Sequence, residues 1–312
     1  MSEKKSMPDY SDLEFKAGSD VHVWDGVIYP WFVHAKTLDA MADFKVRTDD
    51  VYVVSFPKSG TTWTQEIVSL IKNNGEPDNT IKNKHVEERV PHLEMSTAVP
   101  GTILYPRIAA MPEDKPRLIK SHLSYQHMPK DFLVKKPKIV YIARNYKDVS
   151  VSGYSFLRMY KAFDIGSWKE FCEGILMREM TPYGPWAAHV LGWWQHRHDD
   201  NVLFLKYEDL KKDLRGGIVR IADFLGKDLS DDAITKTVEH CSFETMKKNP
   251  MTNFTGLDAF DHKVAPFMRK VLQLAGGTGD WKNWFTVAQN ETMTKLIDER
   301  LYGTGLVFDY DP

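Results

Sequence analysis

The chain has 312 residues, 42% of them hydrophobic and 27% charged, and a formal net charge of -2 at pH 7. This balance suits a globular protein with a full core and excludes a global basic field for nucleic acid or anionic lipid, so any anion site must be local. The two cysteines, Cys172 and Cys241, have neither metal-ligand spacing nor the makings of a disulfide framework, which points to a reducing, cytoplasmic setting.

In chain order, Met1-Ser2-Glu3-Lys4-Lys5 leads into polar sequence without the apolar stretch of a secretory signal, and no run reaches the length of a membrane span. Residues 1–30 are polar and aromatic without clear period and read as a partly ordered N-terminal arm; residues 31–312 read as one domain. The β-branched run Val51-Tyr52-Val53-Val54 predicts a strand, and Ile67, Val68, Leu70 and Ile71 fall on one face of a following helix. Between them lies Ser55-Phe56-Pro57-Lys58-Ser59-Gly60-Thr61-Thr62-Trp63. Strand, tight polar loop and helix together aim backbone N–H groups and a positive dipole end at a bound phosphate. The loop is P-loop-like, yet Lys58 precedes Gly60, whereas the triphosphate loop has its lysine after the second glycine. Ser59, Gly60, Thr61 and Thr62 supply backbone and hydroxyl donors, and Gly60 permits close approach or an unusual φ. Trp63 suits either the core or the face of a purine. A capped helix start with an incidental lysine is the plainer alternative.

From Asn73 to Pro116 turn residues dominate, predicting a long irregular segment with short helices of the kind that covers a site. Arg117–Lys120 reads as a short strand ending at Ser121-His122. Lys138–Ala143 reads as a buried strand ending at Arg144-Asn145, with a helix from about Asp148 that turns Val149, Val151 and Phe156 inward. Val202–Lys206 repeats the pattern, and Tyr207 opens another helix. Such alternation predicts an α/β fold, a single domain with a central parallel sheet flanked by helices. Ligands collect at the carboxyl ends of strands in such sheets, and Lys58, His122, Arg144 and Tyr207 all fall there.

A histidine beside a phosphate loop is suited to take a proton from a hydroxyl near neutral pH, although a lone histidine is more often structural. Arg144 and Ser152, about two helical turns apart, reach one anion only if the loop folds back; Asp148 is the competing partner for Arg144. Phe267-Met268-Arg269-Lys270, before a glycine-rich stretch, is either a solvated surface or a clamp on a second phosphate.

Taken together, Phe-Pro-Lys-Ser-Gly-Thr-Thr-Trp, Lys-Ser-His, Ile-Ala-Arg-Asn-x-Lys-Asp, Lys-Lys-Asn-Pro-Met-Thr-Asn and Phe-Met-Arg-Lys…Gly-Asp-Trp-Lys-Asn resemble the cytosolic sulfotransferases, in that family's order and from about Asp25 onward. The resemblance implies a transferase that moves a sulfuryl group from 3′-phosphoadenosine-5′-phosphosulfate (PAPS) to a hydroxyl or amine, leaving adenosine 3′,5′-bisphosphate (PAP), with no metal required. It implies that Lys58 to Trp63 hold the 5′-phosphosulfate and that Arg144, Ser152, Arg269 and Lys270 hold the 3′-phosphate. Trp63, Tyr207 and Phe243 would frame the adenine, with Cys241, Met246, Phe267 and Met268 completing the nucleotide site. His122 would be the base, with Lys58 and Lys120 stabilising charge.

The acceptor wall would include Lys120, His122, Phe156, His92 and Trp31, shaped for a phenol, sterol or other largely apolar alcohol. His92 and Met95 stand where that family commonly has aromatics, which implies a more polar cavity. Lys282 to Glu291 fits the family's short dimer motif and implies a homodimer. The chain departs from the family at Val271, in the residues added before Gly279, and at Cys241. A nucleotide-binding protein of the same fold with little catalysis is the alternative class, set against the intact Lys58, Lys120 and His122. A P-loop kinase lacks its Gly-Lys-Ser/Thr order here.

Overall fold

The computed structural model describes residues 21–96, 104–160, 165–255, 260–265, 267–268 and 278–311. Its strands in chain order are β1 (Val21–Trp24), β2 (Val27–Pro30), β3 (Val51–Val54), β4 (Leu118–Ser121), β5 (Lys138–Ala143) and β6 (Val202–Lys206). The last four form a parallel sheet in the order β4-β3-β5-β6, with Val54 in register with both Ser121 and Tyr141. All of β3 is buried.

Alternation along the strands divides the core between the two faces of the sheet. Tyr52, Val54, Ile139 and Tyr141 pack with Trp186, Val190 and Trp193 of the helix Trp186–Gln195. Val51, Val53, Val140 and Ile142 pack instead with the helices Thr61–Lys72 and Leu214–Phe224, through Ile67, Val68, Ile218 and Ile221. Each such side chain contributes roughly 1.5–3 kcal/mol by leaving water. Apolar runs covered on both faces are what a parallel sheet requires.

The amino-terminal edge of the sheet is tied by a buried ion pair. Arg117 Nε donates to Asp50 Oδ1 at 2.7 Å, and its other arm reaches the Lys45 carbonyl at 2.9 Å. β4 runs from Leu118 to Ser121, one residue later than the strand read from the sequence, although the Arg117 carbonyl still accepts the Val51 N–H at 2.9 Å. The opposite, carboxyl edge is left to the loops.

β1 and β2 form an antiparallel hairpin across Asp25 and Gly26, both at positive φ (47° and 69°), and Val27, Ile28 and Tyr29 are buried. The Ile28 carbonyl accepts the Tyr183 N–H at 2.7 Å, which fastens the hairpin to the body. Residues 1–20 lie outside the described residues. The helix after β5 begins at Tyr146, two residues before its expected start, because the Asn145 side chain caps it by accepting the Asp148 N–H. Among the described residues between Asn73 and Pro116 stand three short helices, Asn79–Asn83, Val86–Arg89 and Tyr105–Ala109.

Candidate active site

The phosphate-type loop leaves β3 and enters the helix Thr61–Lys72 through Gly60 at φ 104°. A Cβ at Gly60 would lie 2.7 Å from Tyr207 Cδ2, so only glycine lets the loop sit against the start of the helix that follows β6. Lys58 is also left-handed, at φ 68°, a conformation that costs a non-glycine residue about 1 kcal/mol or more. The helix has no side-chain cap, which leaves its first N–H groups for a ligand. Ser55 and Thr61 share a hydroxyl hydrogen bond of 2.7 Å beneath the loop, while Ser59 Oγ is buried without a partner. Uncapped amides and a lysine form a donor-rich cradle, which fits a phosphate or sulfate ester.

His122 follows β4. Its Nδ1 lies 2.8 Å from the Ser55 carbonyl, an acceptor, so Nδ1 carries the proton and Nε2 keeps its lone pair. The main chain of His122 is held on both sides: its N–H donates to Glu94 Oε1 at 2.6 Å, and its carbonyl accepts from His189 Nε2 at 2.9 Å. Burial pushes the imidazole well below its ordinary pKa, and the Lys120 and His92 charges push the same way. Lys120 donates to Glu87 Oε1 at 2.8 Å. Removal from water pushes the Glu87 carboxyl up, but Lys120 and His92 outweigh it and hold it below the usual range.

Arg144 follows β5. Its guanidinium lies 4.3 Å from the centroid of the Tyr207 ring and 3.9 Å from Asp148 Oδ2. Asp148, the expected competitor, is largely committed elsewhere, accepting from Gly279 N at 2.8 Å, Asn145 Nδ2 at 2.9 Å and Trp281 N at 3.3 Å. Trp63 donates through Nε1 to the Cys241 carbonyl at 2.8 Å and meets the Tyr207 ring edge-on at 5.4 Å. Cys241 is buried, and burial pushes its thiol well up.

These elements open onto one cavity of 980 Å³. Lys58, Gly60, Thr61, Thr62 and Trp63 line it from the loop; Lys120, His122, Arg144, Ser152 and Tyr207 line it from the other strand ends. Cys241, Phe243, Met246, Phe267 and Met268 also line it, as do His92 and Phe156. The Lys58 ammonium lies 3.8 Å from the Phe156 ring centroid and 4.6 Å from that of Phe267. Ser59 and Trp31 do not line the cavity. Ser59 is fully buried, and Trp31 packs its ring against Phe32 and Tyr160, which do line it. Arg269, Lys270 and Val271 lie outside the described residues, as do Gly276 and Gly277.

Sequence reasoning passed over Glu87, Glu94, Tyr183 and His189. Glu94 and Glu87 reach the site because residues 91–93 bridge onto β4, with Lys120 N donating to the Pro91 carbonyl at 2.9 Å and Leu93 N to the Lys120 carbonyl at 2.8 Å. No local spacing announces that pairing. His189 stands in an apolar helix and reads there as core. No group of three or more His, Cys, Asp or Glu among the described residues is placed to hold a metal ion.

A family model described as the sulfotransferase domain matches residues 48–305. Sulfotransferase 1E1 of Bos taurus is 38% identical over 309 residues, covering 97% of this chain and 98% of its own. Sulfotransferase 1A1 of Rattus norvegicus is 41% identical over 283 residues, covering 89% and 93%. Among solved structures, a retinol dehydratase in complex with androsterone and the inactive cofactor PAP superimposes with a TM-score of 0.81 at 30% identity, covering 91% of this chain and 89% of that one. Mouse sulfotransferase SULT7A1 complexed with PAP gives 0.74 at 31% identity, covering 91% and 96%. With the domain matched over most of its length and relatives of this similarity spanning nearly all of it, the chain belongs to the sulfotransferase family.

Proposed function

We propose that this sulfotransferase passes the sulfuryl group of PAPS to a hydroxyl, or secondarily an amine, of a small and largely apolar acceptor, with His122 as general base. The observation that carries the reading is the tautomer of His122. The Ser55 carbonyl accepts from Nδ1–H, so the Nε2 lone pair is left for a cavity that also contains the donor-rich loop. PAPS, when bound, supplies an activated sulfuryl group and a stable bisphosphate leaving group. Solved relatives holding androsterone, or retinol together with PAP, support an acceptor of apolar body and hydroxyl tip.

His122 Nε2 takes the proton of the acceptor hydroxyl. Lys58 and the amides of residues 59–63 bind the 5′-phosphosulfate and place positive charge where the reaction gathers negative charge. Lys120, oriented by Glu87, adds charge from the facing strand. Arg144 and Ser152, joined by Arg269 and Lys270, take the 3′-phosphate. Trp63, Tyr207 and Phe243 frame the adenine, with Cys241, Met246, Phe267 and Met268 around them. Phe156 and His92 belong to the acceptor side, with Trp31 behind it.

In this reading residues 31–312 make the catalytic domain, the chain works in the cytoplasm, and two copies pair through Lys282 to Glu291. His122→Ala should lower turnover by a factor of about 100 or more, since general-base assistance is worth roughly 10²–10⁴. PAP affinity, read by calorimetry, should stay within about twofold of wild type, because the imidazole serves the acceptor and not the nucleotide. Turnover that survives the substitution removes His122 from the role of base.

A further inference from the structure

β5 and β6 stop one residue short of the cavity. Their last paired residues are Ala143 and Lys206, because the chain turns into a helix at Tyr207 on one side and at Tyr146 on the other. Arg144 and Tyr207, which line the cavity, lie just beyond that last pair. Ile139 N donates to the Asn201 carbonyl at 2.8 Å. At the period of a parallel ladder, Asn145 N then falls opposite the Tyr207 carbonyl, which belongs to the first turn of the helix Tyr207–Lys212. Glu208 supplies the acceptor instead. Its Oε1 takes the Asn145 main-chain N–H at 2.8 Å and the Asn145 Nδ2–H at 2.8 Å. A side-chain oxygen thus carries the register one step further, residue 145 against residue 208.

What this step fixes is the seat of Arg144. Its guanidinium lies 4.3 Å from the Tyr207 ring centroid, and its Nη1 donates to the Lys58 carbonyl at 3.4 Å. The same Tyr207 ring occupies the space where a Cβ on Gly60 would fall. Any slip of residues 144–145 against 207–208 therefore moves Arg144 relative to the phosphate-type loop. Glu208 itself is buried and does not line the cavity. Its Oε2 is buried with no partner among the described residues, and burial pushes its carboxyl pKa up. A buried carboxylate satisfied on one oxygen only is a poor choice for stability alone. It suits a position that needs an acceptor of that length.

We propose that Glu208 is a positioning residue for the nucleotide: it ties the end of β5 to the helix after β6 and so aims Arg144 at the 3′-phosphate. It acts through Arg144 and not by touching the nucleotide. This rests on the nucleotide reading of the cavity given above and deepens it.

The test compares two probes on the full chain by calorimetry, PAP and adenosine 5′-monophosphate, which lacks the 3′-phosphate. Wild type should favour PAP. Glu208→Met fills a similar space without an acceptor oxygen, and Glu208→Asp keeps the charge but withdraws the oxygen by one methylene. Both should weaken PAP by about tenfold or more, the worth of one charge-assisted contact, and leave adenosine 5′-monophosphate within about threefold. Glu208→Gln, whose Oε1 still accepts from Asn145, should restore most of the preference. A merely structural glutamate would lower the melting temperature and weaken both probes together. That parallel loss overturns the proposal, as does a preference for PAP that Glu208→Asp leaves intact. A wild type that binds neither probe sinks the nucleotide reading itself; a wild type that prefers PAP, with variants that prefer it equally, sinks the inference alone.

Discussion

His189 shows how one side chain outside the cavity governs one inside it. Its Nε2–H holds the His122 carbonyl at 2.9 Å, and its Nδ1 accepts the Tyr141 hydroxyl at 3.0 Å, an arrangement that requires the neutral ring. Burial lowers its pKa from the ordinary 6.5 to about 4. A histidine with its folded pKa depressed binds fewer protons folded than unfolded, so stability rises with pH across that window. The contribution is whole above pH 6.5 and is lost as pH falls toward 4, with a ceiling of about 3 kcal/mol. Melting temperatures measured from pH 7.5 to 4.5 should therefore decline on the acid side. His189→Gln, which keeps a donor for His122 but cannot titrate, should decline less steeply; parallel curves for the two proteins would show that His189 is not the group being protonated. His122 is shifted the same way, so the acid limb of kcat/KM should lie below pH 6.5.

At the scale of elements, chemistry gathers where β3, β4, β5 and β6 end, and Gly60 determines how tightly the loop after β3 can close on the rim. Alanine there has to adopt φ near 104° and to displace Tyr207 from a Cβ contact of 2.7 Å. Gly60→Ala should destabilise the protein by about 1–3 kcal/mol and weaken PAP binding at least tenfold, read by thermal melts and by titration with PAP. Normal PAP affinity in a destabilised variant would separate the loop's packing from its binding role. Strands β3, β5 and β6 were legible residue for residue, because an apolar run bounded by turn signals has few other homes. The hairpin at Val21–Pro30 was not, although Asp25-Gly26 is the dipeptide that two-residue hairpins favour; strands of four residues carrying His22 and Trp24 show no clean alternation. In the site, Lys58, His122, Arg144 and Tyr207 were readable from their place after strands. Glu87 and Glu94 were not, since their approach depends on a bridge between residues 92 and 120 that local sequence does not encode.

At the scale of the whole molecule, the segment Lys282 to Glu291 sets a surface that the cavity does not explain. Thr286 caps the helix Val287–Leu301, its hydroxyl accepting the Gln289 N–H, while Gln289 Oε1 accepts the Thr286 N–H at 3.2 Å. This reciprocal cap holds the helix start rigid and leaves Val287, its first residue, 76% exposed. In the proposed dimer a two-fold through this exposed valine would set valine against valine, and Lys282, which pairs with Asp311 within its own chain, would have to exchange that partner to meet the other copy's Glu291. So short a patch falls below the roughly 1,200 Å² of a standard interface, so the pairing should be reversible and weaken on dilution. Sizing at tens of micromolar should give about twice the 36.0 kDa of the chain, and Val287→Glu should give the single mass by placing two like charges across the axis. Because Val287 is exposed, the substitution should leave the melting temperature of the monomer nearly unchanged. A wild-type mass that stays at one chain across the concentration range, or a dimer that tolerates glutamate at this position, would place the contact elsewhere or nowhere.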